Sequence, residues 1–295
     1  MRPRAWKFRR LTEVATGLLF LIPALVILIA FNIYPIFYTT YLSLTDWNMM
    51  SPTKNFIGLE NYMELAGSAT FRLAFKNTAA FMLSQVVVAL AIGLCIALLL
   101  NGPKRTLYRL AVFSPTVISV AAVAILWTWL FEPAYGPLNA VRRLVGLPTP
   151  HWLGDTKWAL PAIMLMNIWK NVGYNAVVFL AGLQNIPRDL YEAAELDGAT
   201  GWRKFLHITF PLLSPTTFFL TTVTIIWSFQ VFDSVNIMTQ GGPNRSTSVI
   251  LFYFYTQTFR FFRVGYGSAA VMVMFLIVAC VTFIQNRTSK RWVHY

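Results

Sequence analysis

Charge is scarce in this sequence. Asp, Glu, Lys and Arg make up 12% of its 295 residues, where a soluble domain carries about 25%. So few charges cannot clothe a globule in water, and with 57% hydrophobic residues and a mean hydropathy of +0.57 the chain reads as a membrane protein. Cysteine is scarcer still. Cys95 and Cys280 both fall inside apolar runs, which excludes a disulfide framework and suits small apolar packing. His151, His207 and His294 lack metal-ligand spacing, so no metal site is expected. Nor is there a Gly-x4-Gly-Lys-Ser/Thr loop to cradle nucleotide phosphates; Gly102-Pro103-Lys104 is a short turn without the required glycines. No Ser/His/acid grouping and no intramembrane carboxylate pair offers catalysis. The chain is therefore expected to be no enzyme and to bind no cofactor itself. Internal repeats and low-complexity tracts are missing too, and 1–295 reads as a single transmembrane domain.

The charge that is present leans basic, to a net +13. These residues flank apolar runs and form no contiguous face, which points to anionic lipid and topology control, with no nucleic acid. Six runs can cross a hydrocarbon layer of about 30 Å, near 14–38, 78–100, 107–131, 158–182, 211–235 and 266–284. Runs of this length without alternation are helices, not barrel strands. The first exceeds a signal-peptide core and lacks a clear small-residue cleavage site, so it is expected to stay. Prolines 23, 35, 115 and 215 are expected to kink or end helices locally. With a cytoplasmic N-terminus, fourteen of the 24 Lys and Arg fall on the inner side and nine on the longer outer segments, Lys170 lying within a span. That bias puts both termini, and the connector at 186–211, in the cytoplasm.

The connector concentrates seven charges between two apolar runs: Arg188, Asp189, Glu192, Glu195, Asp197, Arg203 and Lys204. Pro187 can open a helix and Gly198 can close it; Leu190, Ala193 and Ala194 form a small apolar face. Thr200 can cap a second short helix carrying Trp202, Phe205, Leu206 and Ile208 towards Pro211. So short a pair buries little of its own surface, which suggests docking on another protein. Glu192-Ala193-Ala194, three residues, Gly198, nine residues, Ile208, one residue, Phe210-Pro211 closely resembles the coupling loop of binding-protein-dependent ABC importer permeases. Leu190-Tyr191-Glu192-Ala193-Ala194 with Asp197-Gly198-Ala199 is similar to the carbohydrate branch, and to its maltose-type first permease. Phe210 stands where the family usually has Leu. Outer stretches 56–62, 133–139 and 239–243 resemble carbohydrate permeases as well.

The resemblance implies an all-α type I ABC importer permease with six transmembrane helices, a homologous second permease, two ABC ATPase subunits that use ATP and Mg, and an extracytoplasmic substrate-binding protein. It implies that Tyr191, Glu192, Ala193, Ala194, Asp197, Gly198, Trp202 and Phe205 meet the ATPase, in the inner membrane of a bacterium. An importer for amino acids or peptides is the alternative, against which the Asp-Gly-Ala and Gly-Gly-Pro stretches speak. A secondary carrier needs coupling-ion groups that the spans lack.

Within the fourth run Asn167, Lys170, Asn171, Tyr174 and Asn175 share one helical face. Polar groups at membrane depth are costly, so this face is expected to border the bundle interior or a water-filled path. Snorkelling by Lys170 is strained at mid-depth, and helix–helix bonding competes with a pathway role. In the fifth run Thr217, Thr221, Thr224 and Ser228 repeat at helical spacing, where packing is as good an account. Trp227 offers a ring for sugar stacking, and Gln230 and Asp233 could close a gate. Thr116 and Ser119 flank the kink at Pro115. Matched to the family, Asn167, Lys170, Asn171, Thr224, Trp227 and Ser228 lie nearest the substrate pathway. The aromatic cluster at 252–262 suits an outer interfacial belt, or a docking surface for the binding protein.

Overall fold

The computed structural model describes Thr16 and residues 18–290, and among them it is helical, with one isolated bridge between Thr45 and Phe56. Outside the described residues lie positions 14, 15 and 17 of the first run, the basic residues of 2–10, Arg291 and His294. Helix α1 covers Leu18–Ser43, α2 Glu60–Gly67 and α3 Ala69–Leu100. A broken pair follows, α4 (Thr106–Val117) and α5 (Val120–Leu130), then α6 (Pro137–Leu144) and the long α7 (Ala159–Gln184). The connector forms α8 (Arg188–Leu196) and α9 (Gly201–Leu212); α10 (Ser214–Phe229), α11 (Asp233–Met238), α12 (Ile250–Tyr255) and α13 (Val264–Ser289) complete the chain.

Among the described residues, helices α1, α3 and α13 are long and apolar enough to cross a membrane; counting the bent pairs α4–α5 and α9–α10 as one span each gives five. Helix α7 has 26 residues, a length of about 39 Å. Its polar stripe lowers its hydropathy, which a helix buried among other helices can tolerate. Each bend has a local cause. The 97° turn between α4 and α5 follows Pro115, and the 62° turn into α10 falls beside Pro215; a proline ring removes one backbone donor and crowds the carbonyl four residues back. Pro35 instead sits inside α1, just after the widened turn Ile29–Ile33, which relieves the same clash. Helix α3 begins nine residues before the expected span. Ser68 caps it, its Oγ accepting from the Phe71 amide at 3.2 Å.

Helix α7 is the axis of the bundle. A Cβ on Gly173 would strike the Val112 carbonyl of α4, and one on Gly93 would lie 2.7 Å from the Asn175 Cβ, so glycine lets α4 and α3 close on α7. Three apolar clusters fill the body. One joins α3, α5, α7, α11 and α12 around Phe131, Ile163 and Met166; another joins α2, α3, α10, α12 and α13 around Leu65, Phe229 and Ile250. The third, around Leu180, Leu183 and Leu213, packs α3, α7 and α10 near the connector. By contrast α1 is exposed from Leu18 to Phe37 and meets α13 only through its later turns, where Thr40 Oγ1 donates to Met272 Sδ at 3.6 Å.

Polar clamps close the opposite end. The Asn61 amide donates to the carbonyls of Ser43 and Thr45, Asn77 to that of Ser248, and Arg263 pairs with Glu64 at 2.5 Å. Of the aromatic cluster, Phe252 and Tyr253 are buried, while Phe259, Phe261 and Phe262 are exposed.

Candidate functional site

A cleft of about 360 Å³ lies where α3, α4, α7 and α10 meet, bounded by α11. Asn167, Asn171, Thr116, Thr224, Trp227 and Ser228 all line it, so residues spread over more than a hundred positions of sequence converge there. Lys170 and Ser119 do not. Ser119 is exposed at the start of α5 and caps nothing with its hydroxyl. Lys170 is 5% exposed, and its Nζ donates to the Thr116 carbonyl at 3.1 Å while Thr116 Oγ1 donates to the Lys170 carbonyl at 3.2 Å. The ammonium thus sits at the carbonyl end of α4, the end of a helix that favours a cation, and holds the break after Pro115.

The lining groups divide by whether the fold already uses them. Asn167 donates to the Ile163 carbonyl and to Ser234 Oγ at 3.2 Å, tying α7 to α11; Ser228 bonds back to the Thr224 carbonyl at 2.7 Å. The side chains of Asn171, Asn175 and the Thr224 hydroxyl have no hydrogen-bond partner among the described residues, nor do Gln230 and Asp233 at the rim. Trp227 is half-exposed and rests against Tyr174, ring centres 5.2 Å apart. A ring wall beside free amide and hydroxyl groups suits a ligand with an apolar face and many hydroxyls. Sequence reasoning passed over Gln85, a buried amide donating to the Met164 carbonyl at 3.3 Å; a lone glutamine in the apolar run of α3 was its signal.

The connector forms a rigid elbow. Pro187 precedes α8 by one residue, and Asp189 lies in its first turn, where the helix dipole favours an anion. Gly198 has φ of +72°; its amide donates to the Glu195 carbonyl at 3.0 Å and the Ala199 amide to that of Ala194 at 2.8 Å. Those two bonds make a Schellman ending, which a residue with a Cβ disfavours. Thr200 does stand at the start of α9, but the expected side-chain cap is absent: only its carbonyl is used, accepting from the Lys204 amide. Tyr191 links the two helices through Thr209 Oγ1 at 2.9 Å, and Lys204 reaches Glu195 at 2.7 Å. Glu192, Ala193 and Asp197 stay exposed, with Ala194 and Phe205 half-buried. Leu196 is 91% and Trp202 68% exposed, Trp202 stacked on Phe205 with centres 5.5 Å apart. Apolar side chains left this open are unfinished surface.

Residues 89–294 match the model of the family described as the binding-protein-dependent transport system inner membrane component. The chain is 36% identical over 291 residues to the sulfoquinovosyl glycerol transport system permease protein SmoG of Agrobacterium fabrum, covering 98% of this chain and 94% of that one. It is 36% identical over 283 residues to the lactose transport system permease protein LacF of Rhizobium radiobacter, covering 93% and 94%. In fold it is similar to a chain of the bacterial alginate ABC transporter in complex with alginate pentasaccharide-bound periplasmic protein, with a TM-score of 0.83, 24% identity and 98% of each chain covered. The chain belongs to the binding-protein-dependent transport system inner membrane components, as a non-catalytic permease subunit of an ABC importer.

Proposed function

We propose that this permease forms half of a pathway for a sugar or polyol derivative, reading its ligand through the free side chains of Asn171, Asn175 and Thr224 beside the Trp227 ring. Those polar groups, open to the cleft and not used by the fold, are the observation that carries the reading, because polar groups kept inside a bundle face water or a ligand. The relatives' names fit it: one is a permease for a sulfonated sugar glycerol, another for lactose. No Lys or Arg lines the cleft. On this half, then, the ligand is held through hydroxyls, whatever anionic group it bears elsewhere.

The finer architecture belongs to the same proposal. Helix α7 is the sixth span beside the five apolar ones, both termini are cytoplasmic, and a homologous second permease closes the cleft. Two ATPase subunits, using ATP and Mg, dock on Leu196, Trp202 and the small-residue face of α8. An extracytoplasmic binding protein delivers ligand at the other end. When the ATPases close, α8 and α9 move as one body and carry α7 and α10 with them, opening the cleft outward; hydrolysis returns it inward. Uptake of radiolabelled sugar into vesicles holding the complete transporter tests the ligand reading. The double variant Asn171→Ala/Trp227→Ala raises KM for uptake and leaves basal ATP hydrolysis unchanged. Unaltered KM in that variant overturns the assignment of the cleft.

A further inference from the structure

Beside the elbow a second cleft, of about 710 Å³, opens between the turn at 101–105, the end of α7 and the start of α8. Lys104, Arg109 and Arg188 reach it from three separate elements, together with Asn101, Gln184 and Tyr191, and no Asp or Glu lines it. None of the three cations is in an ion pair among the described residues. Arg109 is nevertheless fixed. Its Nη2 donates at 3.0 Å to the carbonyls of both Leu100 and Gly102, where α3 ends, and its Nε is buried without a partner. Three like charges at the mouth of one cleft repel one another unless an anion offsets them. If α3 and α7 cross the membrane as proposed, their place at the ends of those apolar runs is the depth of a bilayer's headgroups.

We propose that this cleft binds a phosphate group, supplied by the headgroup of an acidic phospholipid or by a small soluble phosphate. A guanidinium fork, a second guanidinium and an ammonium offer more donors than one carboxylate has oxygens, and a phosphate meets them better. Arg188 and Tyr191 open α8, whereas Lys104 and Arg109 belong to the α3–α4 corner. A bound phosphate therefore pins the first turn of the elbow to the bundle. The site rests on the reading that the elbow faces the cytoplasm, but not on which ligand is imported.

Native mass spectrometry of the intact transporter without nucleotide tests it, with phosphatidylglycerol, phosphatidylcholine and inorganic phosphate added separately. Phosphatidylglycerol is expected to be retained and phosphatidylcholine lost. Each cation removed lowers the affinity about fivefold, so Lys104→Gln/Arg188→Gln lowers it about 25-fold while Arg109 still holds α3 in place. Lys290→Gln, outside the cleft, leaves retention as it was. Binding of inorganic phosphate that the double variant loses, with no preference among the lipids, assigns the soluble source. Retention of either anion by the double variant as in the unaltered protein overturns the proposal, as does no binding of either. Failure of the import reading shows in the uptake assay and leaves this measurement standing.

Discussion

The stripe on α7 and the elbow of α8 and α9 place their polar and apolar side chains in opposite ways. On α7 polar side chains are buried, and several are spent within the fold: Lys170 on the Thr116 carbonyl, Asn167 on Ile163 and Ser234. On the elbow apolar side chains are exposed, Leu196 and Trp202 most of all. Each region reverses the arrangement usual for a protein in water. The stripe lies among packed helices, where a polar group must find a partner or a ligand. The elbow keeps apolar surface open, which on the proposed reading the ATPase covers. A change on α7 should accordingly be felt first in folding, and one on the elbow first in coupling.

The largest effect tests the interior side of that contrast. In Gly173→Leu the added side chain meets the backbone of Val112 and Phe113, which cannot rotate away, so α4 must leave α7. Overpacking of this kind costs about 3 kcal/mol. The expected outcome is loss of the monodisperse species on size exclusion in detergent; a variant that runs and melts like the parent refutes the close packing. Lys170→Met comes next. It keeps an unbranched side chain one atom shorter but leaves the Thr116 carbonyl without its donor, a loss of about 1–3 kcal/mol. A lower melting midpoint with unchanged KM for uptake is expected. The reverse pattern, an unchanged midpoint with a raised KM, returns Lys170 to the pathway.

Smaller in stability, and larger in function, is Gly198→Val. No atom lies within 4 Å of the new Cβ, so the cost is confined to the backbone at φ of +72°, about 1–2 kcal/mol for a residue forced into that region. The end of α8 frays and the elbow no longer moves as one body. The melting midpoint falls by a few degrees at most, while ATP-driven uptake falls about tenfold, the effect of about 1.4 kcal/mol on the coupling step. Uptake at the parental rate removes the elbow from the coupling path.

How much of this was legible depended on whether a signal lay along the chain or across it. The elbow could be read because its residues are contiguous: Pro187, Gly198 and the small-residue face act within one or two turns. The Thr200 cap failed on geometry alone, since sequence names the residue type but not the rotamer. The apolar runs located most helices, yet α3 starts earlier, because Arg72, Lys76 and Asn77 hide its first turns in a hydropathy trace. The stripe on α7 was visible as a face, but its division was not. Lys170 and Asn171 are adjacent in sequence; one is held by α4 and the other opens to the cleft, and only the packing of α4 through Gly173 decides which. The basic cleft was hidden for the same reason, its cations coming from the α3–α4 corner and the distant start of α8.

Trp202→Ala gives the smallest change in stability and the cleanest separation of the two regions. The indole is 68% exposed and stacks on Phe205, so its removal should move the melting midpoint within the range of about 0.5 kcal/mol usual for surface changes. If the ring is covered by a partner, however, it has the properties of an anchor: large, flat, stiff and central to an exposed apolar face. Truncating such an anchor costs about 2 kcal/mol of binding, or about a thirtyfold loss of affinity. Retention of the ATPase on the immobilised permease, measured against salt and detergent washes, should fall by that factor while the permease itself remains folded. Full retention would mean that the partner does not cover the ring, and the elbow would then be no different in kind from the exposed apolar surface of α1.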